Sequence, residues 1–100
     1  MKTFRWNPEK NEWLSQKRTV TFEEIVAIIE ESGVIAEADH HNPGKYPNQK
    51  ILIVNVDGYA YLVPCVIQGE EYFLKTIIPS RKATKHFIGG KHEKEKHSPS

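Results

Sequence analysis

Two apolar runs flank the dipeptide Asp57-Gly58, and this arrangement constrains the fold more than any other feature of the chain. The runs cover residues 50–56 and 59–67, and they are rich in the β-branched and aromatic residues that favour strands. Asp-Gly between two such runs predicts a tight β-hairpin. Further strands are predicted over residues 34–39 and 72–78. The middle of the chain is therefore expected to form a meander of four antiparallel strands.

The run 59–67 contains two residues with special consequences for this sheet. Pro64 cannot donate a hydrogen bond to a neighbouring strand, so we expect a bulge or an unpaired sheet edge at this point. Cys65 is the single cysteine of the chain and allows no internal disulfide. Its apolar neighbours favour a small buried hydrophobic residue over a nucleophile.

Helix-start signals precede the meander at two points. Asn7 is the predicted N-cap of a first helix that begins with Pro8, and its buried residues are expected to be Trp13 and Leu14. A second helix is predicted from the capping box that Thr21 forms with the glutamate three residues later. The connection between the two helices is short, which favours an antiparallel helix hairpin.

The predicted fold class is α+β. A short N-terminal strand over residues 2–6 and the helix hairpin pack on the four-stranded antiparallel meander, and a C-terminal helix over residues 80–87 follows. One sheet face is expected to be covered by the hairpin and the other to stay free for function, since neither layer can bury its apolar side alone. Residues 1–90 are predicted to form one domain, and the charged residues 91–100 a disordered tail.

The composition favours a soluble chain with an uneven charge. Residues are 38% hydrophobic and 27% charged, and no apolar run approaches the ~20 residues that span a bilayer. The N-terminus lacks a secretory apolar region, so we expect a cytoplasmic protein without membrane contact. The net charge of +1 conceals an asymmetry, because residues 21–40 hold six acidic residues and no Lys or Arg, whereas residues 75–100 hold seven Lys or Arg against two Glu. The C-terminal part is therefore a candidate binding region for a polyanion.

Three cations follow a predicted helix start in this basic part. Ser80 is the predicted N-cap, and Arg81, Lys82 and Lys85 lie within about one helical turn of it. Cations are disfavoured at a helix N-terminus, where the macrodipole is positive. Their presence there indicates an anionic ligand such as phosphate, nucleic acid or an acidic protein. An ordinary solvated helix is the alternative interpretation.

Both ends of the domain resemble BrnT-type toxins. The opening Phe4-Arg5-Trp6-Asn7-Pro8-Glu9-Lys10 is similar to the family's aromatic-x-Trp-Asp-Pro-x-Lys start, and Thr21-Phe22-Glu23-Glu24 is similar to its helix cap. The closing Ile77-Ile78-Pro79-Ser80-Arg81-Lys82-Ala83 resembles the family's Ile-Ile-Ser-x-Arg-x-Ala motif. The resemblance covers residues 3–88. It implies a RelE-like fold and the toxin role in a type II toxin–antitoxin system, that is, a metal-independent endoribonuclease that acts on mRNA and arrests translation.

The resemblance also implies the partners. These are RNA as the substrate and an antitoxin encoded in the same operon, through which alone the complex would contact DNA. No cofactor and no metal are expected, because the histidines lack a recognised ligand spacing. The chain departs from the family pattern at Thr76, where an Arg is usual, at Asn7, where an Asp is usual, and at Val63-Pro64-Cys65-Val66, where a polar stretch is usual. A catalytically weak or inactive relative that binds the antitoxin is therefore the alternative.

Cleavage of RNA without a metal needs a base, an acid and donors for the phosphate charge. Arg81 is the candidate for the phosphate, since a guanidinium holds two oxygens at once. Lys75 is predicted at the RNA surface, with a salt bridge on the sheet as the alternative, and His40 is a candidate for proton transfer. The expected RNA-binding residues are Lys82, Lys85, His41 and Tyr61. For the histidines the alternative is an exposed loop pair, and for Tyr61 a place in the core.

Overall fold

The computed structural model describes residues 2–17, 19–39, 42 and 44–89 of the 100-residue chain. Its elements are β1 (Thr3–Trp6), α1 (Pro8–Gln16), α2 (Phe22–Ser32), β2 (Ala36–Asp39), β3 (Gln49–Val56), β4 (Tyr59–Gln68), β5 (Glu71–Leu74), β6 (Ile78–Pro79) and α3 (Arg81–Ala83), which continues as a π-helical segment over Thr84–Gly89. The predicted tail, residues 91–100, lies outside the described residues. Within the described ranges, no helix is long and apolar enough to cross a membrane.

Both N-terminal helices begin where the caps predict. The Asn7 side chain accepts from the backbone N–H of Glu9 at 2.8 Å, and Pro8 is the first helical residue. At the second helix, the Thr21 N–H donates to the Glu24 carboxylate at 2.8 Å, and the Glu24 N–H donates to the Thr21 hydroxyl at 3.4 Å. The reciprocal pair satisfies donors that the first turn of a helix leaves open, so the predicted capping box is confirmed.

The sheet contains the predicted meander and also the predicted N-terminal strand, whose pairing the sequence did not indicate. Strands lie in the order β1-β5-β4-β3-β2, and β2 to β5 are antiparallel neighbours. The β3–β4 hairpin turns at Asp57 and Gly58, with φ of 54° and 87°, and the Asn55 side chain accepts from the Gly58 N–H at 2.7 Å. Strand β1 pairs with β5 in parallel, which makes the sheet mixed. The α+β class is therefore confirmed.

The predicted strand over residues 72–78 was wrong in its middle. Strand β5 ends at Leu74 and β6 resumes at Ile78, and both pair with β4. Between these points β4 advances three residues, from Cys65 to Leu62, while its partner advances four, from Leu74 to Ile78. One extra residue on one strand is a bulge.

Pro64 lies beside this bulge. Its carbonyl accepts from the Lys75 N–H at 2.8 Å, but it has no N–H to return the bond, so the β4–β5 ladder stops there. The expectation of a bulge is confirmed, and the bulged residue lies in the neighbouring strand. The alternative of an unpaired edge was wrong, since β4 has neighbours on both sides.

The first face of the sheet is the side that α1 and α2 cover. Alternation along β3, β4 and β5 places on it the buried side chains of Leu52, Val54, Val63, Cys65 and Leu74. Leu14 from α1 and two fully buried residues from α2, Phe22 and Ile25, complete this core. The half-buried Trp6 of β1 stacks on the Phe22 ring, with centroids 5.9 Å apart. Burial of one sheet face by the two helices is thus confirmed.

The second face is not entirely free, contrary to the expectation. Ala83 and Ile88 pack there against Ile53, Ala60 and Leu62, in a smaller core of their own. The C-terminal helical residues 81–89 therefore cover part of the face on which function was expected. Elsewhere on this face the side chain of Phe73 is 39% exposed.

Trp13 is exposed, although it was predicted to be a buried residue of α1. Leu14 has 5% relative exposure and Trp13 has 51%. Neighbouring residues of a helix point about 100° apart, so a helix of this length that packs through one narrow stripe buries only one of the two. The Trp13 ring instead has the ammonium groups of Lys10 and Lys17 at 5.3 Å and 5.5 Å from its centroid.

Candidate nucleic-acid interface

A network of hydrogen bonds fixes the start of the basic helix to strand β4. The Ser80 N–H donates to the Ala60 carbonyl at 3.0 Å, and the Ser80 hydroxyl accepts from the Ala83 N–H at 3.0 Å. The Thr84 hydroxyl accepts from the Ala60 N–H at 2.8 Å and donates to the Ser80 carbonyl at 2.7 Å. Ser80 is thus the predicted N-cap, and both polar backbone groups of Ala60 are used to hold the helix on the sheet.

This network predicts a specific loss of stability in Thr84→Val. Valine has nearly the same shape but leaves the N–H of the fully buried Ala60 without an acceptor, which costs about 1–3 kcal/mol. Urea unfolding of the two proteins measures the difference. Thr84→Ser keeps the hydroxyl and is expected to retain most of the stability. No loss in the valine variant together with a loss in the serine variant would mean that the methyl group, and not the hydrogen bond, is important.

The cations of the helix remain exposed on this fixed support. Arg81, Lys82 and Lys85 are all exposed, and residues 75–89 contain no Asp or Glu. Among the described residues, neither Arg81 nor Lys82 forms an ion pair with a carboxylate. Their charge is therefore available to an anion from outside.

The cations divide between two flanks of the helix. Arg81 and Lys85 share one flank by i,i+4 spacing. Lys82 shares the other flank with His86, and both line a cleft of about 360 Å³ between the helix and the second sheet face. The wall of this cleft also includes Leu62 of β4 and the 40%-exposed ring of Phe87.

His86 is a residue of this surface that the sequence interpretation did not assign. Its imidazole contacts the Phe87 ring edge-on, with centroids 4.6 Å apart, and its side chain is exposed. The signal was present in the sequence, because His86 follows Lys82 by one helical turn. An imidazole can both donate and accept hydrogen bonds through its two nitrogens, so the cleft has a group suited to proton transfer.

Lys75 lies in the irregular segment between β5 and β6, and not within a strand as predicted. Its N–H is fixed by Pro64, and its side chain is exposed. Two residues after Phe73, it continues the alternation of β5 onto the second face. Lys75 and the basic helix therefore both belong to this side of the sheet, although they are not in the same cleft.

Tyr61 lies on the opposite side. It pairs with Val54 in the β3–β4 register and faces the first face, half-buried, and it packs against the core under the helices. The structure thus does not bring Tyr61 into the cleft of Lys82 and His86. The two other predicted histidines, His40 and His41, lie outside the described residues.

Cys65 is fully buried on the first face, as expected of a small core residue. Burial raises the pKa of its thiol from the ordinary 9.0 to about 11. Full burial together with a raised pKa is typical of an inert structural cysteine.

The same shift predicts a pH dependence of stability. Because the native pKa is the higher one, the native state favours the protonated thiol, and the stabilisation is complete below pH 9.0 and is lost as the pH rises towards about 11. The free energy of unfolding in urea is measured across this window for the wild type and for Cys65→Ala. The wild type is expected to lose stability more steeply, and parallel curves would contradict the buried-thiol explanation.

Comparisons with known proteins found no relative. No protein-family model matches the chain, and neither a curated protein nor a solved structure matches it.

Proposed function

We propose that this chain is the toxin component of a type II toxin–antitoxin pair, with a RelE-like fold of the BrnT type and a metal-independent endoribonuclease activity on mRNA. The observation that carries the proposal is the basic helix: Arg81 and Lys82 are exposed, have no carboxylate partner among the described residues, and belong to a helix that packs on the sheet through Ala83. The order of two helices, a four-stranded meander and a basic C-terminal helix supports the fold assignment.

In this proposal Arg81 binds the scissile phosphate. The 2′-hydroxyl oxygen attacks phosphorus, the bond from phosphorus to the 5′-oxygen breaks, and a 2′,3′-cyclic phosphate and a 5′-hydroxyl result. A base takes the 2′ proton and an acid supplies a proton to the leaving 5′-oxygen. His86 is a candidate for one of these transfers beside His40, while Lys82 and Lys85 neutralise neighbouring phosphates. The guanidinium stabilises the charge that develops on the phosphorane oxygens.

The decisive experiment combines growth and chemistry. Induced expression of the chain is expected to arrest growth and degrade cellular RNA. Purified protein is expected to cut single-stranded RNA in the presence of a metal chelator, to leave 2′,3′-cyclic phosphate ends, and to spare a substrate with deoxyribose at the cleaved position. Cleavage of that deoxyribose substrate, or a requirement for a divalent cation, would contradict the mechanism.

A binding protein without strong activity is the second candidate function. Apolar side chains remain exposed around the basic helix, with Ile78 at 43% and Phe87 at 40%, and such residues suit a protein partner better than RNA. Thr76, which replaces the usual Arg, cannot supply a charge. In this case the chain binds its antitoxin on this surface within a cytoplasmic repressor complex. Normal growth upon soluble expression, with tight binding to the antitoxin encoded alongside, would favour it.

A further inference from the structure

The exposed Trp13 forms one wall of an aromatic groove on the side of the sheet away from the basic helix. The groove has a volume of about 300 Å³, and Val20, Tyr61, Ile77 and Pro79 also line it. Two of its walls are thus aromatic, and the others are mostly apolar, with Thr19 as a polar side chain among them. A volume of this size accommodates a nucleobase with room to spare.

The rim of the groove carries positive charge next to the indole ring. Lys10 and Lys17 hold their ammonium groups 5.3 Å and 5.5 Å from the Trp13 ring centroid. α1 also carries two carboxylates, Glu9 and Glu12, which equal the two lysines in number, but the ammonium groups are the charges held over the indole ring. Aromatic rings that stack bases, combined with cations that contact phosphates, are what single-stranded nucleic acid requires of a protein surface.

We infer that this groove, with Trp13 and Tyr61 as its stacking walls and Lys10 and Lys17 at its rim, binds one base of a single-stranded RNA and the adjoining phosphates. The inference rests on the proposed function for its ligand class. It adds a second contact region for the same RNA, and it gives Tyr61 a place in RNA binding that does not depend on the cleft of Lys82 and His86.

The surroundings of the groove indicate how the RNA leaves it. A neighbouring cleft at Tyr59 and Tyr61 is lined by the carboxylates of Glu24 and Asp57, which repel phosphate. On the other side, Pro79 belongs to the groove wall and stands two residues before Arg81. Two extended residues span about 7 Å, so the RNA strand is expected to pass from the groove towards Arg81.

Binding of a short single-stranded RNA with 2′-O-methyl riboses, which lack the attacking hydroxyl, tests the inference by fluorescence anisotropy. Trp13→Ala is expected to weaken binding about tenfold, the typical effect of losing one stacked base, and Trp13→Phe to restore most of it. Lys17→Gln is expected to reduce the slope of log Kd against log salt concentration by about 0.7. Val34→Ala truncates another exposed apolar side chain, which lines neither the groove nor the cleft of Lys82 and His86, and serves as the control.

Two results separate this inference from the proposed function. If Trp13→Ala binds RNA normally while the wild type shows Arg81-dependent cleavage, the groove is not an RNA-binding site. The proposed ribonuclease function then still stands. Trp13-dependent binding without cleavage supports the groove and overturns the catalytic proposal. If the wild type does not bind RNA, or if Trp13→Ala loses only its affinity for the antitoxin, the groove is not an RNA site. Melting temperatures confirm that each variant is folded.

Discussion

Arg81→Ala is expected to reduce RNA cleavage at least about a hundredfold and to relieve growth arrest, while the protein melts like the wild type. Loss of one donor that stabilises a developing anionic charge typically lowers the rate by about 10²–10³. The stability should hardly change, because the side chain is exposed and has no ion pair among the described residues. Single-turnover cleavage, growth and a thermal melt together measure the effect.

Two controls make this experiment specific. Arg81→Lys keeps one charge but not the planar pair of donors, so an intermediate rate is expected. Arg5→Ala removes another exposed arginine, which pairs with Glu71 at 3.8 Å, and is expected to leave cleavage unchanged. Full toxicity of Arg81→Ala at confirmed expression would exclude Arg81 from phosphate binding. Equal loss in Arg81→Ala and Arg5→Ala would point to overall charge instead.

The largest effect on stability is expected from Phe22→Ala. Phe22 is fully buried at the start of α2, where its ring stacks on Trp6 and its N–H donates to the Asn11 side chain at 2.9 Å. Truncation of a buried phenylalanine costs about 3–5 kcal/mol through lost burial and the cavity left behind. The free energy of unfolding of a small domain is about 5–15 kcal/mol, so the variant would be close to unfolding.

Urea denaturation followed by far-UV circular dichroism measures this loss. Phe73→Ala, which truncates the same residue type at an exposed position, is the matched comparison, with an expected cost below about 1 kcal/mol. Comparable midpoints for the two variants would mean that α2 does not contribute to the stability of the first-face core as its burial indicates. A lower m-value in Phe22→Ala would instead indicate partial unfolding before the main transition.

Local signals in the sequence predicted local structure well. Asn7, Thr21 and Ser80 all cap the helices that they were expected to cap, and Asp57-Gly58 forms the predicted hairpin. Each of these features depends on hydrogen bonds or backbone angles within about four residues. The geometry is therefore encoded where the signal lies.

Features that depend on contacts between distant parts of the chain could not be predicted from the sequence. The parallel pairing of β1 with β5, the docking of Ala83 on the second face and the exposure of Trp13 all depend on which distant surfaces meet. Pro64 indicated an irregularity in the sheet. Only the register of the neighbouring strands shows that the extra residue lies between β5 and β6, and not in β4. For the candidate site, Arg81 and Lys82 were recognisable from their spacing. That His86 and Leu62 line the same cleft could not be predicted, because it depends on where the C-terminal helix packs on the sheet.

Strand β1 sits at the edge of the sheet, and its neighbour β5 is far away along the chain. Thr3 pairs with Glu71, a separation of 68 residues, whereas the hairpins of the meander join residues that are close in sequence. Bringing such distant segments together lowers the conformational entropy of the chain before any stabilising contact forms between them. We therefore expect the meander to form early and β1 to join last. The indole fluorescence of Trp6 would then report the final step of folding and not the initial collapse.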